Sequence, residues 1–300
     1  MKESPEIKAF RDLLGAEPVG FEPTVGSTPT QLFESCTFGR SDTVPGSSLV
    51  HARATYARRV KIAISATAVA VVGGGIWAWA RWLKRRQDEW RIRLANNIPV
   101  NSKFWRERNK EVGDLLYVAI GDSAAQGIGA SRPDHSYVGV LAKSIRGRTD
   151  RTLRVANLGI SGATLGLAIE SELPKLAKLD PDIVTVCIGA NDIANFDAQR
   201  FAREIAVILD AVPPHAIVAD LPSFYFLPGQ KNARIANRIL RAAAAERGLT
   251  VVDLHTLTHR QGLWGITTQF AGDLFHPNDR GYRIWAAALE PAVARRLAEL

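Results

Sequence analysis

Residues 115–123 read Leu-Leu-Tyr-Val-Ala-Ile-Gly-Asp-Ser, an apolar run that ends in small and polar side chains. Short runs of this kind recur downstream and alternate with longer amphipathic segments. This alternation is typical of βαβ units, in which helices cover both faces of a parallel sheet. We therefore predict a three-layer α/β domain with a five-stranded parallel sheet.

The elements of this domain begin after Asp114. The predicted strands are 115–120, 153–158, 183–188, 216–220 and 249–253. The predicted helices are 137–146, 164–179, 197–212, 231–247 and a last helix that carries Tyr282, Trp285, Leu289, Val293 and Leu297. Ligands of such sheets bind outside the carboxyl ends of the strands, so the residues after each strand are the candidates for function.

The residues at these strand ends can form an acyl-transfer site. Such a site needs a nucleophile, a base, a group that orients the base, and hydrogen-bond donors for the oxyanion. Ser123 is the candidate nucleophile, His276 the candidate base, and Asp273, three residues before the histidine, can orient its ring. The candidate oxyanion donors are the backbone N–H groups of Ser123 and Gly162 and the side-chain amide of Asn191.

Four segments, in this order, resemble the blocks of the SGNH hydrolases, also called the GDSL lipase and esterase family. They are Gly121-Asp122-Ser123, the loop with Gly162, the loop with Asn191, and Asp273-Leu274-Phe275-His276. The resemblance extends from about Leu115 to the C-terminus and departs from the name motif at Ala124, where the motif has leucine.

The resemblance implies a flavodoxin-like SGNH hydrolase domain and a serine esterase or lipase that works through an acyl-serine intermediate. It implies no metal and no organic cofactor. In this sequence it places the catalytic roles on Ser123, Asp273 and His276, and the oxyanion hole on Ser123, Gly162 and Asn191.

Several alternatives compete with this interpretation. His255 is a second candidate base, and we prefer His276 because Asp273 lies one turn before it. An α/β-hydrolase elbow would need glycine where Ala125 stands. A dinucleotide site would need its glycines directly after the first strand, but Gly127-Ile128-Gly129 comes later. Both enzyme classes are therefore excluded. A membrane-tethered binding module that recognises an acylated or glycan ligand without hydrolysing it is the alternative from another functional class.

The sequence leaves the substrate open among lipid, acyl and acetylated glycan esters. One aromatic loop between prolines, Pro222-Ser-Phe-Tyr-Phe-Leu-Pro228, follows the fourth strand. It predicts that Phe224, Tyr225 and Phe226 line an acyl-binding wall, with Trp264 and Phe270 as further candidates, although simple packing over the end of the sheet would also explain the loop.

The positive charge is concentrated away from this domain. The whole chain carries a formal charge of +8, but residues 53–110 alone hold 14 Lys/Arg and 3 Asp/Glu, which is +11, and the remainder carries −3. A nucleic-acid groove would need these cations on the folded domain, so we predict no nucleic-acid partner.

The basic residues instead flank an uncharged run of 19 residues, 62–80, that is long enough to cross a bilayer as a helix. Trp77, Trp79 and Trp82 mark an interfacial belt at one end. We predict a single-pass protein of the cell membrane anchored by 62–80. Four Lys/Arg before the run and six after it leave the side of the C-terminal domain open.

These observations predict four regions: a disordered tail at 1–57, a transmembrane helix with basic flanks at 58–86, a juxtamembrane linker at 87–112, and the hydrolase domain at 113–300. Cleavage as a signal peptide after Ala80 and a true translation start near Leu49 remain alternatives for the N-terminal part. Cys36 and Cys187 lack the spacing of a zinc site or a redox dithiol, so neither a structural metal nor a disulfide scaffold is expected.

Overall fold

The computed structural model describes residues 47–225 and 228–300, except for the side chains of 47–72 and Ile76. The chain divides into two compact units at Arg86, and residues 86–300 belong to one of them. The predicted tail at 1–57 lies mostly outside the described residues.

The first described element is helix α1, Ser47–Arg108, which runs from one unit into the other. It contains the predicted membrane segment 62–80, but the side chains of 62–72 and Ile76 lie outside the described residues. Within the part of the chain that is described, no helix has an apolar stretch long enough to cross a membrane.

The core of the unit 86–300 is a five-stranded sheet in which all strand pairs are parallel. The strand order is β2-β1-β3-β4-β5, which confirms the predicted α/β architecture. The strands are β1 Leu115–Gly121, β2 Leu153–Asn157, β3 Ile183–Cys187, β4 Ile217–Ala219 and β5 Thr250–Val252. The order reverses between β1 and β3, so the loops after these two strands open a crevice at the carboxyl edge.

The remaining helices connect and cover the strands. They are α2 Ser123–Gln126, α3 Tyr137–Arg146, α4 Leu165–Ser171, α5 Leu173–Leu176, α6 Ala198–Ala211, α7 Gly229–Glu246, α8 Leu254–His259, α9 Gly262–Thr268 and α10 Asp279–Ala298. Short 3₁₀ turns lie at Pro133–His135 and Asn191–Ile193. Helices α8 and α9 are not among the predicted helices.

Polar side chains fix where several of these helices begin. Ser136 accepts a hydrogen bond from the N–H of Gly139 at the start of α3, and Asp197 accepts one from the N–H of Arg200 at the start of α6. Asn278 accepts from two N–H groups at the start of α10. Each cap satisfies donors that have no partner inside the helix.

Alternating strand residues build a separate core on each face of the sheet. Val118 and Ile120 of β1 point to the face covered by α4, α6 and α7. Tyr117 and Ala119 point to the opposite face, covered by α3 and α10. Both faces are therefore buried, as in doubly wound sheets.

Residues 86–108 are part of this packed unit, although the sequence analysis predicted a linker there. Leu94, Asn101 and Trp105 are buried, and Trp105 belongs to the core beneath α3 and α10. The segment buries these side chains because its apolar residues recur every three or four positions on one helical face.

Candidate active site

The candidate nucleophile lies where β1 ends. Ser123 is the first residue of α2 and is 7% exposed, and Asp122 before it caps the helix by accepting a hydrogen bond of 2.9 Å from the N–H of Ala124. Because β1 is hydrogen-bonded to a strand on each side, the sheet fixes the position of Ser123 at its carboxyl end.

The candidate base and its orienting carboxylate lie on the loop before α10. His276 Nε2 is 3.0 Å from Ser123 Oγ, and His276 Nδ1 is 2.6 Å from Asp273 Oδ2. The other carboxylate oxygen of Asp273 accepts hydrogen bonds of 3.1 Å from the N–H groups of Phe275 and His276. This order of contacts lets the histidine remove the serine proton while the carboxylate fixes the imidazole tautomer.

Electrostatics distinguish the two aspartates of the site. Burial favours the neutral form of Asp273, but hydrogen bonds from the His276 ring and from two backbone N–H groups outweigh it and lower the pKa of Asp273 below its ordinary value. Burial dominates at Asp122 and raises its pKa to about 6. Asp273 is charged at neutral pH and lies against the His276 ring, so it can stabilise an imidazolium.

The candidate oxyanion donors lie on the two neighbouring loops. Gly162 has a φ of 80°, a conformation that glycine adopts without a steric cost. The side-chain amide of Asn191 donates a hydrogen bond of 2.9 Å to the carbonyl of Ala163 and so ties its loop to the one that carries Gly162. This contact uses one amide hydrogen and leaves the second for an oxyanion.

A buried glutamate that the sequence analysis missed supports these loops. Glu172 is fully buried, and its Oε2 accepts a hydrogen bond of 3.0 Å from the N–H of Gly121, two residues before Ser123. Burial raises the pKa of Glu172 to about 8. A single glutamate in an amphipathic helical pattern gave no signal for this role.

The segment Gly127-Ile128-Gly129 also has a structural role. Gly127 ends α2 with a φ of 80°, and Gly129 has a φ of 97°. A Cβ at Gly129 would collide with the carbonyl oxygen of Pro277 and lie 2.9 Å from the Cβ of His276. Gly129 therefore permits the close approach between the serine segment and the histidine loop.

The predicted acyl-binding residues fall into different environments. Phe224 is partly buried against the core, and Phe226 lies outside the described residues. The hydroxyl of Tyr225 donates to the carbonyl of Thr258 at 2.5 Å, and its ring meets Phe270 edge to face with centroids 6.0 Å apart.

Phe270 forms an antiparallel β-bridge with Pro277, the residue after His276. Because Tyr225 contacts Phe270, the Tyr225 loop lies beside the histidine loop. Trp264 is 60% exposed and stacks under the guanidinium of Arg280.

His255, the competing base, lies on α8 away from the candidate triad. Its Nδ1 is 3.2 Å from the carbonyl oxygen of Leu221, and its Nε2 is 3.3 Å from the side-chain amide of Gln230. Asp253 caps α8 and pairs with Arg241 instead of orienting the His255 ring. The described residues contain no group of His, Cys, Asp and Glu side chains that could hold a metal ion.

Comparisons with known proteins show the family and the fold. Residues 119–284 match the GDSL-like lipase/acylhydrolase family. The GDSL-like esterase Rv1075c of Mycobacterium tuberculosis is 25% identical over 209 residues, which cover 65% of this chain and 66% of that relative. This chain thus spans just under two-thirds of the relative's length.

Two crystal structures share the fold. LAE5, an alpha/beta hydrolase enzyme from the metagenome of Lake Arreo in Spain, is 22% identical with a TM-score of 0.53 over 61% of this chain and 97% of its own. The lipase/acylhydrolase from Enterococcus faecalis is 19% identical with a TM-score of 0.53 over 62% of this chain and 97% of its own. The resemblance drawn from the sequence is confirmed: because the family match covers more than half of the chain, the chain belongs to the GDSL-like lipase/acylhydrolase family, whose members are hydrolases acting on ester bonds.

Proposed function

We propose that this chain hydrolyses carboxylic esters through an acyl-serine intermediate. The observation that carries the proposal is the continuous line of contacts from Ser123 through His276 to Asp273, with distances of 3.0 and 2.6 Å. A nucleophile, a base and an orienting carboxylate at hydrogen-bond distance are the parts that acyl transfer needs.

The reaction follows from these contacts. Ser123 Oγ attacks the ester carbonyl carbon while His276 Nε2 takes the hydroxyl proton, and Asp273 stabilises the imidazolium. The tetrahedral intermediate then releases the alcohol, which receives the proton from His276. Water, activated by the same nitrogen, attacks the acyl-serine and releases the carboxylic acid and the free serine.

The charge that develops on the carbonyl oxygen needs donors at the carboxyl edge of the sheet. We assign this role to the backbone N–H groups of Ser123 and Gly162 and to the side-chain amide of Asn191. Removing one such donor typically costs about a hundredfold to a thousandfold in turnover. Asn191→Ala is therefore expected to lower kcat by about that factor.

The mechanism is tested with p-nitrophenyl acetate and with a fluorophosphonate probe on the full-length chain. Wild-type protein is expected to turn over the ester and to be labelled on Ser123, and Ser123→Ala to lose both properties. Ser144→Ala is the matched control, because the hydroxyl of Ser144 on α3 donates to Glu290 on α10 and not to a residue of the candidate triad. Unchanged turnover in Ser123→Ala would refute the mechanism, and a wild-type chain without hydrolysis or labelling would favour a binding module.

For the substrate, we propose esters with an acyl chain longer than acetate. The contact from Tyr225 to Phe270, which pairs with the residue after His276, supports an apolar wall beside the base. Replacing Tyr225 by alanine is expected to lower kcat/KM several-fold more for p-nitrophenyl octanoate than for the acetate. Equal losses on the two esters would reject this role, and a panel of lipid, thioester and acetylated sugar substrates would then define the class.

We also propose that residues 62–80 hold the enzyme at a membrane. The support is in the sequence: an uncharged run of 19 residues between two clusters of basic residues, with tryptophans at one end. An integral anchor resists salt and carbonate because apolar burial, unlike surface attraction, is not screened by ions. Release of the full-length chain from membranes by a carbonate wash would contradict the anchor.

A further inference from the structure

We infer that residues 86–108 of α1 are a positioning element of the active site, which aligns the nucleophile loop and the histidine loop. This inference rests on the proposed ester hydrolysis and extends it to a segment outside the matched family region, which begins at residue 119. The segment makes two sets of contacts, one to each loop.

The first set converges on Gln126, the last residue of the short helix that begins with Ser123. The carbonyl oxygen of Gln126 accepts two hydrogen bonds, from the side-chain amide of Asn101 at 2.9 Å and from the indole N–H of Trp105 at 3.1 Å. The side-chain oxygen of Gln126 accepts a third from the hydroxyl of Ser102 at 3.0 Å. Three side chains of the 86–108 segment therefore hold one residue of the nucleophile helix.

Gln126 also contacts the loop that carries the candidate oxyanion donor Gly162. Its amide nitrogen donates a hydrogen bond of 2.5 Å to the carbonyl of Gly159, in the loop that leads to Gly162. Gln126 is only 6% exposed, so water cannot readily replace these partners. A buried amide left without them would incur a desolvation cost, which favours a single arrangement of the two loops.

The second set of contacts reaches the histidine loop. The indole of Trp90 lies against Gly272, the residue before Asp273, so closely that a Cβ at Gly272 would collide with the ring. One turn further, Leu94 packs in a small buried cluster with Ile128 and Ala271. The same helix thus touches the segment after Ser123 and the segment before Asp273.

A helix that contacts both loops can control the geometry between them. Acyl transfer is sensitive to shifts of about 1 Å between nucleophile and base. The 86–108 segment therefore influences kcat indirectly, through the positions of the nucleophile loop and the histidine loop. We expect the effect to fall on kcat more than on KM, because the contacts to Gln126 and Gly272 act on the nucleophile loop and the histidine loop.

The test compares two tryptophans of the full-length chain. Trp105 and Trp285 are both buried in the same core, but of the two only Trp105 has an indole hydrogen bond among the described residues. Trp105→Phe is expected to lower kcat and the rate of fluorophosphonate labelling between about twofold and tenfold with a smaller change in KM, the range that a lost hydrogen bond represents. Trp285→Phe removes similar packing and is expected to leave kcat unchanged at a temperature where both variants are folded.

A second pair of variants tests the hydroxyl of Ser102 in the same way. Ser102→Ala removes the contact to Gln126 and should lower kcat, whereas Ser102→Thr keeps a hydroxyl and should restore most of it. Equal kcat losses in the two tryptophan variants, or unchanged kcat and labelling in Ser102→Ala, would overturn the inference. Failure of the proposed function gives a different result, since wild-type protein would then show neither labelling nor turnover.

Discussion

Two buried carboxyl groups support the two halves of the candidate active site, and their pKa values are shifted in opposite directions. Glu172 lies under the nucleophile loop with a pKa raised to about 8, whereas the pKa of Asp273 in the histidine loop is lowered. Both side chains are removed from solvent. Burial alone therefore does not decide whether a carboxyl in this enzyme is charged.

The difference lies in the donors that each carboxyl finds. Asp273 accepts from the His276 ring and from two backbone N–H groups, which use both of its oxygens. Glu172 accepts a hydrogen bond from the backbone N–H of Gly121, and its Oε1 has no hydrogen-bond partner in the described structure. An anion needs enough donors to replace its hydration, and only the histidine loop supplies them.

The largest expected effect comes from removing the charge in the histidine loop. Asp273→Asn keeps the shape of the side chain but cannot hold the histidine in the same tautomer, so we expect kcat for p-nitrophenyl acetate to fall by about a thousandfold to ten-thousandfold. Asp279→Asn is the control, because the Asp279 carboxylate binds Ser131 and His135 instead of His276. Similar losses in the two variants would mean that Asp273 has no special part in the reaction.

An intermediate effect is expected where the two loops meet, at Gly129. Gly129→Ala places a methyl group against the Pro277 carbonyl and the His276 Cβ on a backbone with positive φ. Moving the histidine loop by a fraction of an ångström to 1 Å should lower kcat by about a hundredfold.

Gly147→Ala controls for the substitution itself, since a Cβ there would meet no atom nearer than 3.6 Å. Circular dichroism would confirm that both variants are folded. Full activity in a folded Gly129→Ala would show that the close approach is not needed.

The smallest effect on turnover is expected from Glu172, whose ionisation acts on stability. The native state retains the Glu172 proton up to about pH 8, whereas the unfolded chain loses it near 4.5, so the free energy of unfolding should fall as the pH rises between these values. Each pH unit in this window costs up to about 1.4 kcal/mol. Asp122 and Asp192 have pKa values raised to about 6, so their contribution ends near that pH.

Glu172→Gln cannot ionise and should remove this slope between pH 6 and 8. Urea denaturation of the wild type and the variant at several pH values measures it. Identical pH dependence in the two proteins would show that Glu172 is not the group responsible.

Much of the fold could be predicted because strand and turn signals are local. All five strands were located to within one or two residues, and helix Tyr137–Arg146 was predicted with its observed bounds. The predicted helix 164–179 is two short helices, α4 and α5, and Pro174 lies in the first turn of the second. The packing of residues 86–108 was missed although Trp90, Leu94, Ile98, Asn101 and Trp105 form one stripe at helical spacing.

The candidate site was predictable where chemistry needs a particular residue type. Ser123, Asp273 and His276 could be proposed from the sequence because only a few side chains can attack, accept a proton or orient a ring, and the structure brings the three to hydrogen-bond distance. Glu172 and Gln126 could not be found in this way, because their roles depend on which backbone groups the folded chain leaves without partners. Nothing in a single sequence records those vacant groups.

The hydrogen bond between Ser123 and His276 joins residues 153 positions apart. The ribosome releases a growing chain from its N-terminus onward. Ser123 and the loops that carry Gly162 and Asn191 therefore emerge before His276 does. An unfinished chain holds Ser123 without its proton acceptor, so under the proposed mechanism hydrolysis is the last property that synthesis confers.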